Sequence, residues 1–274
     1  MTTQKIDMQQ TGFFSGLFTD YLNESLDLKE FYSEHPQLEN FEYFFDKFDE
    51  IDREVLTKSL TGQHENVELS EKQEYNLTLL NDKNTFTVTT GHQLNIFCGP
   101  LYFIYKIVST IKACEQLKIK YPEKHFVPIY WMATEDHEFE EINHFSLFNK
   151  THTWQTNQRG AVGRMTTEGI QSIFEELTDI PKLFDVYNQG LTLAEATRQI
   201  VHQLFNHYGL LILDADDKEL KKVFTPLIKD EITKQASVGL IQKQTERLDA
   251  LGYKGQVYPR AINLFYLEGD LRAR

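Results

Sequence analysis

The 274-residue sequence predicts an α/β protein, with a parallel-sheet core, a helical layer before it and a small insertion within it. Three observations predict this fold. Short apolar runs rich in β-branched residues stand at 85–90, 126–132 and 210–214, separated by helical patterns as in successive βαβ units. The middle run, HFVPIYWM from His125 to Met132, is almost continuously apolar, which suits a strand buried on both faces. Residues 11–80 carry apolar side chains at helical spacing and no strand pattern.

The elements follow in order. Phe13, Phe14, Leu17, Phe18, Tyr21 and Leu22 mark one helical face; Phe41, Tyr43, Phe44, Phe45 and Phe48 form a second aromatic cluster. Ser70 with Gln73 three residues later predicts a capped helix start, followed by Leu77, Leu79 and Leu80. Residues 1–80 are thus read as a helical segment packed on the core. Thr85–Thr90 is the first strand, bounded by Asn84 and Gly91. Pro100 opens a helix whose apolar residues continue to Leu117. With the strand 125–132, it makes residues 81–144 the first half of the core, large enough for a right-handed crossover. Scattered threonines, Trp154, Gly160 and Gly163 predict short antiparallel strands in 151–167, with a short helix near 170–177, so 145–190 is read as an inserted subdomain. A helix at 193–207 and a buried strand ending at Asp214 begin the second part of the core, 191–274; Lys218–Leu251 is mostly helical. Ile262–Leu267 reads as a strand and Glu268-Gly269-Asp270 as a turn, opening a hairpin with no second strand. An unpaired terminal strand is unfavourable, so part of the fold is expected to be missing at the C-terminal side.

Composition excludes several classes. Twenty Phe, thirteen Tyr and two Trp contradict a disordered chain. With 28 basic and 41 acidic residues, the net charge of −13 argues against nucleic acid and anionic membranes as partners. No apolar run reaches the roughly 20 residues of a membrane span, and the N-terminus lacks a secretory pattern. Cys98 and Cys114 show no disulfide or zinc spacing, which points to a reduced, cytoplasmic protein with inert thiols.

Three features stand at the carboxyl ends of the strands, where open α/β sheets bind ligands. The first is Thr90-Gly91-His92-Gln93, with Gly99-Pro100 at the next helix start and Lys106 as a local cation. Oriented N–H groups there suit a phosphate or carboxylate, and an ordinary βα turn explains the same residues. The second is Glu135-Asp136-His137-Glu138-Phe139-Glu140-Glu141-Ile142-Asn143-His144. Asp136 or Glu138 suits an amine or ribose, and His137 a proton shuttle. If the segment is helical, His137, Glu141 and His144 share a face and offer a metal site for a hydrolase. A charged helix cap is the plain alternative. The third is Asp214-Ala215-Asp216-Asp217, a ribose or metal holder or a helix cap. Arg260 and Asn263 are isolated polar candidates.

The words Thr89-Thr90-Gly91-His92-Gln93, Gly99-Pro100-Leu101-Tyr102 with Tyr105-Lys106, Pro128-Ile-Tyr-Trp131-Met-Ala-Thr-Glu135-Asp136-His137 and Tyr258-Pro259-Arg260-Ala-Ile-Asn263 resemble the bacillithiol biosynthesis cysteine-adding enzymes, the BshC family. The resemblance runs along the chain and is densest over 88–144. It implies a Rossmann-like core with connecting-peptide-type insertions, in proteins about twice this length that dimerise through a C-terminal coiled coil. It also implies the last step of bacillithiol synthesis: cysteine joined to glucosaminyl-malate by an amide bond, with ATP activating the carboxylate. Carried over, Thr90, Gly91, His92, Gln93, Gly99 and Lys106 would meet the nucleotide. Asp136 and His137 would be catalytic; Tyr102, Trp131, Glu135, Arg260 and Asn263 would touch substrate. No tightly bound metal is implied. Thr-Gly-His-Gln stands where nucleotidyl-transferase-like enzymes have His-x-Gly-His, so the first His of that loop is absent.

Overall fold

A computed structural model describes residues 4–47 and 52–273. Phe48 of the expected aromatic cluster lies outside them. The elements in chain order are α1 (Met8–Thr11), α2 (Gly16–Leu22), α3 (Arg53–Gln63), α4 (Glu71–Leu79), β1 (Thr85–His92), α5 (Tyr102–Lys120), β2 (His125–Met132), α6 (Phe139–Ile142), β3 (His144–Leu147), β4 (Lys150–Thr153), α7 (Gln171–Phe174), α8 (Leu193–Phe205), β5 (Leu211–Asp214), α9 (Lys218–Val223), α10 (Thr225–Lys234), α11 (Ala236–Ala250), β6 (Tyr266–Glu268) and β7 (Leu271–Ala273).

The chain forms two compact units. Among the described residues, one holds 4–47 and 225–265, the other 52–224 and 266–273. This division cuts through the segment read as 1–80. In the smaller unit, Tyr253 donates its hydroxyl to Asp20 at 2.8 Å, and Arg247 lies over the Phe31 ring and pairs with Glu30. The face at 13–22 is not a core: Phe13 is 90% exposed, and Phe14 and Phe18 stack on each other at 5.1 Å.

The larger unit is built on a parallel sheet of order β1-β2-β5, as the apolar runs predict. Thr85 pairs with His125 and Ile129 with Leu211. The two faces bury different helices. Tyr130, Met132 and Ile212 pack under α5 and α8 with Phe103, Ile107 and Ile200. Val127, Ile129, Leu211 and Leu213 pack against Leu60, Leu77 and Leu80 from α3 and α4. Pro128 of the central strand has no N–H to give β5. The Gly209 carbonyl that would receive it takes 2.7 Å from the Asn76 side chain instead. The outer edge of β5 is closed in the same manner. Gln73 donates to Leu210 O at 2.7 Å, Ile212 N donates to His64 Nε2 at 3.2 Å, Arg198 donates to Ile212 O at 2.8 Å, and Asp214 N donates to Gln63 Oε1 at 2.7 Å.

The insertion differs from expectation in its register. Its hairpin is β3 with β4, paired antiparallel from His144 opposite Thr153, so it begins before the predicted 151–167 stretch and overlaps it only at 151–153. Phe148 and Asn149 take left-handed φ of 49° and 62° at the turn, which fixes the hairpin earlier in the sequence. Trp154 is fully buried and donates Nε1–H to Glu168 O at 2.9 Å. The terminal hairpin also differs. Its first strand is only Tyr266–Glu268, not Ile262–Leu267, and β7 pairs with it antiparallel, so the strand is not unpartnered.

Candidate active site

The carboxyl ends of the three strands are knitted together. Ala133 N donates to His92 O at 3.1 Å and Ala215 N to Met132 O at 3.2 Å. Thr134 donates its hydroxyl to Asp214 and receives Asp216 N at 3.1 Å. Asp216 accepts from Lys221 at 2.9 Å and from Arg164 at 2.7 Å. Burial alone would raise its pKa, but these two cations hold it below the ordinary value. Lys221 also stands 3.6 Å from Glu135, whose carboxyl is pushed up by burial. Asp217 caps α9, accepting from Glu219 N and Leu220 N. The 214–217 segment is therefore an ion-paired clasp and helix cap.

The 135–144 segment is not one helix. α6 runs only from Phe139 to Ile142, and His144 already begins β3. The i, i+4, i+7 face required for a His137–Glu141–His144 metal site does not form; His144 instead donates Nδ1–H to Asn143 Oδ1, 3.0 Å away. Among the described residues no group of three or more His, Cys, Asp or Glu side chains is placed to hold a metal.

What does assemble is a carboxylate pair around Gln93. The Gln93 amide donates to Asp136 Oδ2 at 2.8 Å and to Glu141 Oε2 at 2.7 Å, so its two N–H bonds hold the two acids together. Asp136 Oδ1 also accepts the His137 N–H at 2.8 Å, with the Arg272 guanidinium 3.8 Å away. His137 Nδ1 lies 2.9 Å from the Glu135 carbonyl. A carbonyl only accepts, so Nδ1 carries the proton and Nε2 offers its lone pair. That Nε2 is buried and has no partner among the described residues.

Residues 90–92 are strand rather than loop. Thr90, Gly91 and His92 pair with Tyr130, Trp131 and Met132, and the loop begins at Gln93. Lys106 donates to the Gly91 carbonyl. A Cβ on Gly91 would meet Trp131 at 3.8 Å, an ordinary contact, so packing within the chain does not require glycine there. His92 points to α5 and stacks on Phe103 at 5.2 Å. Burial, aided by Lys106, lowers its pKa to about 4, so its ring is neutral at pH 7. It is no cationic anion binder.

Beside the pair opens a cleft of about 870 Å³. Gln93, Asn95, Tyr102, Glu141, His144 and Asp179 are among its polar lining, Gly99 adds backbone, and Phe97, Phe145, Leu147 and Phe184 are among its apolar walls. The start of α5 faces it at Pro100 and Leu101. Asn95, whose Nδ2 donates to Glu141 O at 3.2 Å, keeps a buried, unpaired Oδ1. Three successive residues of positive φ, Phe97, Cys98 and Gly99 at 52°, 65° and 49°, turn the chain here, and only the glycine is a residue type that announces it. Gly99 is required by packing as well, because a Cβ would sit 2.3 Å from Asn95 Cβ. Gly99→Ala is expected to lower stability by about 1–3 kcal/mol and to displace Asn95, read as a drop in urea midpoint with unchanged slope. Burial pushes the Cys98 thiol to about 11 and the Cys114 thiol to about 12, so both are thiols at pH 7.

Of the expected site residues, Gln93, Gly99 and Tyr102 line this cleft, and Asp136 and His137 adjoin it through Gln93. Thr90, Gly91, His92, Lys106, Trp131 and Glu135 do not line it. Arg260 and Asn263 belong to the other unit, where Asn263 donates to Ser237 Oγ at 2.6 Å and accepts Arg260 N at 3.0 Å, a turn-holding role. Sequence reasoning missed Asn95, Phe145 and Phe184, which carry no motif.

Comparison with known proteins identifies the family. The profile of a family described as "Bacillithiol biosynthesis BshC, N-terminal Rossmann-like domain" matches residues 1–274. A Flavobacterium johnsoniae protein named "Putative cysteine ligase BshC" is 46% identical over 100% of this chain and 54% of its own length. Proteins of the same name from Flavobacterium psychrophilum and Cytophaga hutchinsonii are 47% and 44% identical, each over the whole of this chain and 54% and 53% of their own. The chain thus spans about half the length of the curated relatives it matches. No helix among the described residues is long and apolar enough to cross a membrane. The match along its full length, on a parallel α/β sheet with a cleft at the strand ends, shows that the chain belongs to the BshC family of bacillithiol biosynthesis, corresponding to its N-terminal Rossmann-like domain.

Proposed function

We propose that this chain supplies the N-terminal part of a ligase that joins cysteine to glucosaminyl-malate through an amide bond. The observation that carries the reading is the Gln93-bridged pair of Asp136 and Glu141 at the lip of the cleft, with the unpaired His137 Nε2 beside it. Amide formation needs an amine held, deprotonated and aimed at an activated carboxylate. Glu141 faces the cleft and is the acid that meets an ammonium group. Asp136 is already surrounded by donors and positions His137 through its backbone. His137 Nε2 accepts the proton that the amine loses as the C–N bond forms.

Activation by ATP belongs to the same proposal. The apolar walls suit a base or sugar ring, and the N-terminus of the 19-residue α5 suits one phosphate. Among the described residues no Lys or Arg lines the cleft, and Glu141 and Asp179 do, so phosphate charge there relies on that helix end. ATP, when bound, supplies the leaving group that a free carboxylate lacks. Cysteine and glucosaminyl-malate as substrates, and a homodimer formed through the C-terminal part of the full-length enzyme, complete the proposal.

The test is product formation from cysteine, glucosaminyl-malate and ATP by full-length BshC containing this chain. Gln93→Leu should lower turnover by about 10- to 100-fold, because two carboxylates lose their shared donor, while circular dichroism stays unchanged. Absence of product from the wild type removes the ligase reading. Wild-type turnover in Gln93→Leu removes the carboxylate pair from the site.

A further inference from the structure

The terminal hairpin sets a cation beside the site. Its turn rests on Gly160, where a Cβ would stand 2.9 Å from Asp270 Oδ1 and 3.0 Å from Asp270 Cα. Gly160 also takes a φ of 95°, so glycine is what admits the turn. The segment beneath the hairpin is tied to the end of β2: Val162 N donates to Asp136 O at 2.7 Å and Gly163 N to Thr134 O at 2.9 Å. In β7, Arg272 stands opposite Leu267. Its guanidinium donates to Glu138 Oε1 at 2.9 Å and lies 3.8 Å from Asp136 Oδ1. Asp136 therefore has Arg272 near one oxygen and, on the other, the Gln93 amide that lines the cleft.

The cations near the strand ends differ in what holds them. Lys106 donates to the Gly91 carbonyl, Arg164 and Lys221 grip Asp216, and Arg198 donates to Ile212 O at 2.8 Å. Turning any of these to a ligand breaks a bond that holds strand ends together. Arg272 is held by a carboxylate at the surface: the Glu138 side chain is 57% exposed, and a pair of that kind contributes little. Asp136 does not depend on it, because the Gln93 amide and the His137 N–H already donate to that carboxylate. A carboxylate arriving from solution can therefore displace Glu138 and meet the guanidinium fork, whose spacing matches its two oxygens. The need for such a cation is real. The chain carries a net charge of −13, and among the described residues no Lys or Arg lines the cleft.

We propose that Arg272 is the receptor for a malyl carboxylate of glucosaminyl-malate, and that Glu138 holds its place until the substrate displaces it. The inference rests on the ligase reading for the identity of the substrate and on the hairpin geometry for the residue. Anchored at Arg272, on the far side of Asp136 from Gln93, the substrate is held by one end while its amine is presented to His137 and Glu141. Arg272 carries no motif, and only the packing of the hairpin turn on Gly160 brings it to the end of β2.

Equilibrium binding to full-length BshC tests this with two probes: glucosaminyl-malate, and glucosamine, which keeps the amine and lacks both carboxylates. Arg272→Gln should weaken glucosaminyl-malate binding by about 10- to 100-fold and leave glucosamine binding unchanged. Arg272→Lys, which keeps the charge and loses the fork, should fall between. Glu138→Gln breaks the same ion pair from its other side, and should tighten glucosaminyl-malate binding by about 2- to 5-fold because the competing carboxylate is gone. A pair that only anchors the hairpin would make the two variants act alike. The KM for glucosaminyl-malate should move in these same opposite directions, with the KM for cysteine unchanged. Wild-type binding in a folded Arg272→Gln variant, weakening by both Arg272→Gln and Glu138→Gln, equal weakening of both probes, or no binding of glucosaminyl-malate to the wild type overturns the proposal. Binding that depends on Arg272 without product formation upholds it and removes only the ligase chemistry; product formation indifferent to Arg272 does the reverse.

Discussion

His137→Asn in full-length BshC is expected to lower kcat for cysteine addition by about 10²- to 10⁴-fold while leaving the KM for cysteine close to its wild-type value. Asparagine keeps an N–H where Nδ1 donates to the Glu135 carbonyl, so the turn at 135–138 survives. It removes Nε2, the atom left buried and unpaired at the end of β2. The split between kcat and KM separates proton transfer from binding. An unchanged kcat in a folded variant would exclude His137 as the base.

The second large effect is acid sensitivity of the folded chain. His64 is 3% exposed; Nδ1 meets Leu60 O at 2.7 Å, and Nε2 accepts the Ile212 N–H at 3.2 Å. Accepting requires a neutral Nε2. Burial, with Arg198 and His202 nearby, lowers the pKa to about 4 from an ordinary 6.5. The unfolded chain therefore binds the proton first, and stability falls as pH drops from about 6.5 to about 4. The full window is worth about 3 kcal/mol. Above pH 6.5 this contribution is flat. His92, half-buried and lowered to about 4, acts in the same direction. Urea midpoints at pH 7, 6 and 5 should fall steadily in the wild type and less steeply in His64→Gln. Parallel profiles for the two proteins would remove His64 as a source of the acid sensitivity.

The strands were legible because TFTVTT and HFVPIYWM are patterns that few other structures tolerate. The Ser70–Gln73 capping box was legible because it is local, and the structure contains it. What was not legible is long-range. Gln63, His64, Gln73 and Asn76 read as ordinary polar helix residues, yet each is consumed by a backbone group more than 130 positions away. Asp136 and His137 stood out as chemistry-bearing residues, but Gln93 as the bridge between two acids required the loop geometry. The 90–93 loop was misread because Gly91 looks like a strand terminator, whereas its backbone stays in register with Trp131 and the strand runs on to His92. The metal triad failed because α6 is a single turn, which sequence spacing alone does not reveal.

The sealed edge of β5 has a consequence for how the chain comes to be folded. Gln73 and Leu210 are 137 residues apart, His64 and Ile212 148, and Gln63 and Asp214 151. Helices α3 and α4 emerge from the ribosome early, with the polar groups that will grip β5 still facing water. At about 5–20 residues per second, their partner strand arrives roughly seven to thirty seconds later. Until then β2 lacks one neighbour, and both the apolar face of α3 and α4 and that side of β2 stay uncovered. The docking of β5 is therefore a late, non-local event that locks both layers at once, and the nascent chain is most open to chaperones and to aggregation just before it.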